Sequence, residues 1–189
     1  MKILVYGSTT FGSVVRVLVE ECGHEFAGFI DDVTPSGPDV LGSFDTVKTT
    51  HPAAGFACVN AVGYNDLAAR QRVSDRIVAA GYASPSLIHP RAIVGRESRV
   101  GAGAMVMAGA IVDTRVDLGP CVVMWPGAVV AHDTAIGANT FLSPNSTICG
   151  CCQVGAHCFV GAAAVVVDHA TVPAATRIKA AERYVTRKR

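Results

Sequence analysis

From residue 88 onward the chain follows one hydrophobic period. Every sixth position is Val, Ile, Leu or Met: Ile88, Val94, Val100, Val106, Val112, Leu118, Met124, Val130, Ile136, Leu142, Ile148, Val154, Val160, Val166, Val172 and Ile178. Two residues before each, from Ala92 to Thr176, stands a residue no larger than valine. A bulky inward residue alternating with a small one, followed by a tight corner, is the hexapeptide form of a parallel β-helix. Gly103, Gly109, Gly127, Asn139 and Asn145 fall in the corner slots and tolerate positive φ. No insertion breaks the register, so about five coils of three hexads are predicted.

The first half has a different pattern. Lys2–Tyr6, Glu25–Ile30 and Phe56–Val62 are short apolar runs that predict strands. Residues 12–22, with Val14, Val15, Leu18, Val19 and Cys22 on one face, predict a helix, as do residues 66–80 with Leu67, Val73 and Ile77. Residues 33–43, which include Pro35, Gly37, Pro38 and Gly42, read as a loop. The expected organisation is an α/β unit with a short parallel sheet over 1–84, a β-helix over 85–178, and a basic tail or short capping helix over 179–189. The α/β unit is short for a full dinucleotide fold.

Half of the residues are hydrophobic and the formal net charge is +1. That balance points away from nucleic acid as a partner. No apolar run reaches bilayer length, and MKILVYG lacks the features of a signal peptide. Seven cysteines, an odd count in no disulfide spacing, suggest free thiols in a reducing cytoplasm. Cys152 and Cys158 fill small inward slots, so Cys149, Cys151 and Cys152 read as structural thiols and not as zinc ligands; no metal is expected.

His132 and Asp133 occupy corner slots, and Asp168-His169 occupy the same slots in reversed order. Periodicity alone does not choose between functional pairs and polar corners. Residues eighteen apart sit on adjacent coils, about 4.8 Å apart. Gly150 therefore lies directly beyond His132 and offers an N–H with no side chain in front. A base beside such a donor can serve a nucleophile and a developing oxyanion together, with Asp133 fixing the imidazole tautomer. His169 lies near the end of the repeat and is a weaker candidate. In the first half, Gly7-Ser8-Thr9-Thr10-Phe11-Gly12 opens a helix whose N–H groups can face a phosphate, although the dinucleotide signature is absent. Asp31, Asp32 and Gly63 fall at strand ends on the rim where open α/β sheets bind ligands.

The motifs GSTTFG, FIDD, NAVGYNDLAAR, SLIHPRAIVG, VVAHDTAIG and FLSPNSTICG, in that order, resemble the bacterial sugar acetyltransferases related to UDP-amino-sugar N-acetyltransferases and sialic acid O-acetyltransferases. The resemblance implies a left-handed β-helix, a homotrimer, and acetyl-CoA bound between subunits along Phe141, Gly150, Ala162 and Ala180. It also implies His132 as general base, Asp133 as its neighbour and Gly150 as oxyanion donor. A nucleotide-linked sugar is implied on the α/β unit, near Gly7, Ser8, Thr9, Asp31, Asp32 and Gly63. Trp125, Ala131 and Phe141 replace the Asn, Glu and second His of the amino-sugar branch. Those departures suggest a different acceptor, a hydroxyl in place of an amine, or a non-catalytic nucleotide-sugar binder. A zinc-dependent enzyme like the β-helix carbonic anhydrases ranks lower, because no closely spaced His pair accompanies His132, His157 and His169. His89 reads as a junction residue. Arg177, Lys179, Arg183, Arg187, Lys188 and Arg189 make the tail basic.

Overall fold

A computed structural model describes residues 1–34 and 36–186. Pro35 of the expected loop and Arg187, Lys188 and Arg189 of the expected tail lie outside the described residues. The chain forms two compact units, Met1–Pro85 and Ser86–Arg189.

The first unit is a parallel four-stranded sheet: β1 (Lys2–Tyr6), β2 (Glu25–Ile30), β3 (Val40–Gly42) and β4 (Ala57–Asn60), in the order β3-β2-β1-β4. The helices are α1 (Thr10–Glu21), α2 (Phe44–Thr50) and α3 (Leu67–Ala79). Leu4, Ile30, Cys58, Phe44, Val47 and Ile77 are buried together. Strand β3 corrects the expectation of an unbroken loop over 33–43. It has three residues and no apolar alternation to announce it. Helix α2 is likewise absent from the sequence pattern. It is under two turns of mostly polar residues, started by Ser43, whose hydroxyl accepts from the Thr46 N–H.

The second unit is a parallel β-solenoid of about five turns, as the hexad period predicts. Each two-residue strand pairs in register with the one eighteen residues on, for example Val129 with Thr147 and Val130 with Ile148. The large and small inward slots form one continuous core, from Ala104 to Ile178. Most polar groups in the small slots serve the ladder; the Ser146 hydroxyl, with no partner among the described residues, is an exception. The Thr134 hydroxyl donates to the Cys149 carbonyl (3.1 Å) and accepts from the Cys152 N–H (3.1 Å). Cys152 and Cys158 are buried in these slots, their thiols donating to the Val167 and Pro173 carbonyls.

At every corner from residue 97 on, the second residue has left-handed φ: Arg115 at 55°, Asp133 at 58°, Cys151 at 57° and His169 at 57°. Its N–H joins the ladder, as Cys151 does to the His132 carbonyl at 3.0 Å. The first corner residue's N–H does not. Proline fills that slot at 90, 120, 126 and 144 without loss.

The solenoid continues past residue 178, which corrects the basic tail or capping helix expected over 179–189. Arg183–Tyr184 pairs with Val165–Val166. Tyr184 takes the large inward slot and packs against the core, and Ala181 takes the corner with φ 56°. An aromatic in a slot otherwise aliphatic, flanked by charges, hides the last hexad from the sequence.

The three faces differ. One presents Arg99, Asp117, Ala135, Gln153 and Thr171 and is polar. A second presents Leu87, Met105, Val123, Phe141, Phe159 and Arg177. The third presents Ile93, Ile111, Val129, Thr147, Val165 and Arg183; it is aliphatic over its first three rungs yet partly exposed, Ile93 to 59%.

Candidate active site

The corner between the aliphatic face and the polar face carries the first candidate site. His132 and Asp133 stand there, exposed, between the strands Val129–Val130 and Ala135–Ile136. His132 Nδ1 is 2.8 Å from Asp133 Oδ2. The carboxylate is also gripped by Arg115, one coil back, through Nε at 2.7 Å and Nη2 at 2.9 Å. Arg115 first, and His132 second, hold the Asp133 carboxyl well below the usual carboxylate range. An ionised Asp133 requires the proton on Nδ1, which leaves the Nε2 lone pair available. Nε2 has no hydrogen-bond partner among the described residues.

The imidazole lies over Gly150. A Cβ built there would meet His132 Cε1 and Nε2, each at 2.8 Å. The Gly150 N–H belongs to the unused corner slot and has no acceptor among the described residues. A proton-accepting nitrogen and an unengaged N–H thus stand side by side at the surface. Together they can deprotonate a nucleophile and stabilise an oxyanion. The sequence predicts His132, Asp133 and Gly150 in this arrangement but not Arg115. The available signal was its offset of eighteen residues from a carboxylate.

The other expected positions fall as follows. Ala162 and Ala180 are exposed first-corner residues one coil apart, and neither N–H enters the ladder. Phe141 is buried, 2% exposed, its ring flanked by Trp125 and Phe159 at centroid distances of 6.1 and 6.2 Å. Stacking with its aromatic neighbours hides it. Arg177 is no tail residue; its guanidinium lies 4.5 Å from the Phe159 ring centroid. His169 is exposed two rungs beyond Asp133, and His157 pairs with Asn139 at 2.9 Å.

The α/β unit holds a second candidate site. A cavity of about 450 Å³ lies at the carboxyl ends of β1, β2 and β4, lined by Tyr6, Gly7, Thr9, Asp31, Val62 and Gly63 among others. This is the switch point of the sheet, where β2 and β4 leave β1 in opposite directions. The α1 N-terminus opens there with no acidic residue in its first turn, and Thr9 makes no side-chain cap. Gly12 is obligatory, since a Cβ would lie 2.1 Å from the Gly7 carbonyl oxygen. Gly63 has open space around it.

Both rim carboxylates are already engaged. Asp31 Oδ2 accepts from the Ser8 N–H (3.1 Å) and hydroxyl (2.5 Å), and Oδ1 from the Val33 and Thr34 N–H groups. Burial pushes its pKa up, but these donors outweigh burial and leave it below the ordinary carboxylate value. Asp32 accepts from the Phe44 N–H, the Tyr6 hydroxyl and Arg76. Asp31 and Asp32 therefore brace the rim and tie the Ser8 loop to β2. Arg76 is a partner of Asp32 that the sequence does not announce, because the contact reaches across from α3.

Residues 2–77 match the PglD N-terminal domain, and residues 133–168 match the bacterial transferase hexapeptide of six repeats. The chain is 29% identical over 119 residues to a GDP-perosamine N-acetyltransferase of Escherichia coli O157:H7, covering 60% of this chain and 52% of that protein. It thus spans about half the length of that curated relative. The acetyltransferase domain of PglB from Neisseria gonorrhoeae FA1090 is 28% identical, with a TM-score of 0.90 over 97% of this chain and 91% of that one. That domain is also solved in complex with acetyl coenzyme A. PerB from Caulobacter crescentus, solved with CoA and GDP-perosamine, is 28% identical with a TM-score of 0.90 over 98% of this chain and 89% of that one. The resemblance to sugar acetyltransferases holds at the level of both domains. Among the described residues no helix is long and apolar enough to cross a membrane.

Proposed function

From a chain that joins a PglD N-terminal domain to bacterial transferase hexapeptide repeats, we infer an acetyl-CoA-dependent acetyltransferase acting on a nucleotide-linked sugar. The acceptor is an amine, or a hydroxyl, of that sugar. The observation that carries this reading is the imidazole of His132 lying over Gly150 beside an unengaged N–H.

In this mechanism the acceptor attacks the acetyl thioester while His132 Nε2 takes its proton. The Gly150 N–H stabilises the oxyanion. The tetrahedral intermediate collapses, and the CoA thiolate leaves with the proton returned by His132. Asp133 holds the imidazole in the required tautomer and stabilises its charged form. Arg115 holds Asp133, so it is a positioning residue and not a catalytic one. The Ala162 and Ala180 corners, carrying only methyl groups, leave their N–H groups open to the acetyl-CoA chain.

The switch-point cavity supports nucleotide binding. The α1 N-terminus faces phosphate, and Gly7, Thr9 and Gly63 let a ligand approach the backbone. Asp31, Asp32 and Ser8 shape that rim. The aliphatic face supports a homotrimer, because it adjoins the His132 corner and would otherwise leave a row of apolar side chains in water. Acetyl-CoA would then lie in the groove between subunits. A cytoplasmic location fits both the soluble substrates and the seven free cysteines.

Trp125 and Phe141, packed together where the resembling family has polar groups, favour one alternative: a nucleotide-sugar binder without turnover. Incubation with acetyl-CoA and a panel of nucleotide-linked amino sugars separates the two. The transferase releases CoA thiol only with its sugar, and the product gains one acetyl mass. Thermal stabilisation by a sugar with no thiol release would establish the binder instead.

A further inference from the structure

One rung beyond Asp133, the corner holds a thiol that the acetyl-transfer mechanism does not use. Cys151 is free and only partly buried. One ligand atom from each of His132, Asp133 and Cys151 lies within 4.8 Å of the other two. We propose that this triplet is an inhibitory site for a thiophilic divalent cation, Zn²⁺ in particular. The inhibition, though not the binding, rests on His132 being the base.

Imidazole, carboxylate and thiolate form an N, O, S donor set suited to Zn²⁺, with bonds of about 2.0–2.3 Å and a fourth position left to water. Tetrahedral ligands at those lengths stand roughly 3.3–3.8 Å apart. Side-chain rotation closes that gap, since the Cys151 backbone is already fixed to the His132 carbonyl at 3.0 Å. Asp133 exchanges part of its Arg115 fork for the cation. The thiol proton passes to solvent, and the two anionic ligands then balance the metal charge.

Occupancy removes the base by simple valence. A cation on Nδ1 forces the neutral imidazole to carry its proton on Nε2. A cation on Nε2 takes the nitrogen itself. Gly150 puts no side chain against the imidazole, which is itself exposed.

Co²⁺ serves as the spectroscopic probe. The wild-type protein should show a thiolate-to-cobalt charge-transfer band saturating at one equivalent per chain, and Cys151→Ala should lack it. Ala163, Ala175 and Ala181 hold the same slot at the same left-handed φ, so the variant keeps its fold. Zn²⁺ should inhibit wild-type acetyl transfer, reversibly with EDTA. Cys151→Ala should retain turnover and require roughly tenfold more Zn²⁺ or higher for equal inhibition. A cobalt complex without the thiolate band, or equal zinc sensitivity in Cys151→Ala, overturns the site. Absence of acetyl transfer altogether would defeat the transferase reading, while the cobalt spectrum would still decide the metal site.

Discussion

Gly150 is a glycine because an imidazole fills the space its side chain would need. Its φ is not left-handed, so Gly150→Ala should fold and melt close to wild type. The new methyl must push His132 aside, and kcat should fall by about one to two orders of magnitude, as for misplaced reacting groups in general. Steady-state kinetics with a melting curve checks both halves. Asp133 gives a pH prediction. Its folded-state carboxyl is held low by Arg115 and then His132. The resulting stabilisation is complete above the unfolded value near pH 4 and is lost as the pH falls towards the folded value. Asp133→Asn should therefore lower the Tm slightly at pH 7, the pair being exposed. The difference should close below about pH 4; a gap that widens in acid contradicts the assignment. His132, Asp133 and Gly150 were legible because an exact period converts sequence distance into spatial neighbourhood. Arg115 was not, since an arginine at a corner looks like any solvated charge until it is set against Asp133 eighteen residues on.

At the scale of elements, the two halves differ in how openly they declare themselves. Each hexad repeats one rule, and parallel pairing in register follows from it. The last hexad escaped only because Tyr184 breaks the aliphatic rule. In the α/β unit, β3 and α2 are too short to carry a period, and long-range pairing decides them. The β1–α1 turn makes a sharper test. Gly12→Ala forces a methyl against the Gly7 carbonyl oxygen, and overpacking of this kind costs about 1–3 kcal/mol. Chemical denaturation should register that loss, together with weaker nucleotide-sugar binding. Gly63→Ala, with open space around it, should change stability by under about 0.5 kcal/mol. Asp31 and Asp32 illustrate what pattern cannot give. Their rim position was readable, whereas their engagement with Ser8, Tyr6 and Arg76 depends on side chains brought across the sheet.

At the scale of the whole molecule, the proposed trimer would connect assembly with chemistry through the partly exposed ladder beside the His132 corner. Ile111→Glu sets a charge within the aliphatic part of that ladder, between Ile93 and Val129. If the proposed trimer packs through this ladder, light scattering should show it reduced to monomer with circular dichroism unchanged, and activity should fall with the assembly, since the proposed acetyl-CoA groove lies between two subunits. A trimer that survives the substitution would place the interface elsewhere. The central claim, however, is that His132 accepts the proton of an acetyl-transfer reaction. Its most direct test is sugar-dependent CoA release by His132→Asn, measured beside wild type on chains of equal thermal stability. With His132 as the base, kcat should fall by about two to four orders of magnitude with little change in KM. Turnover by His132→Asn comparable to wild type would contradict it.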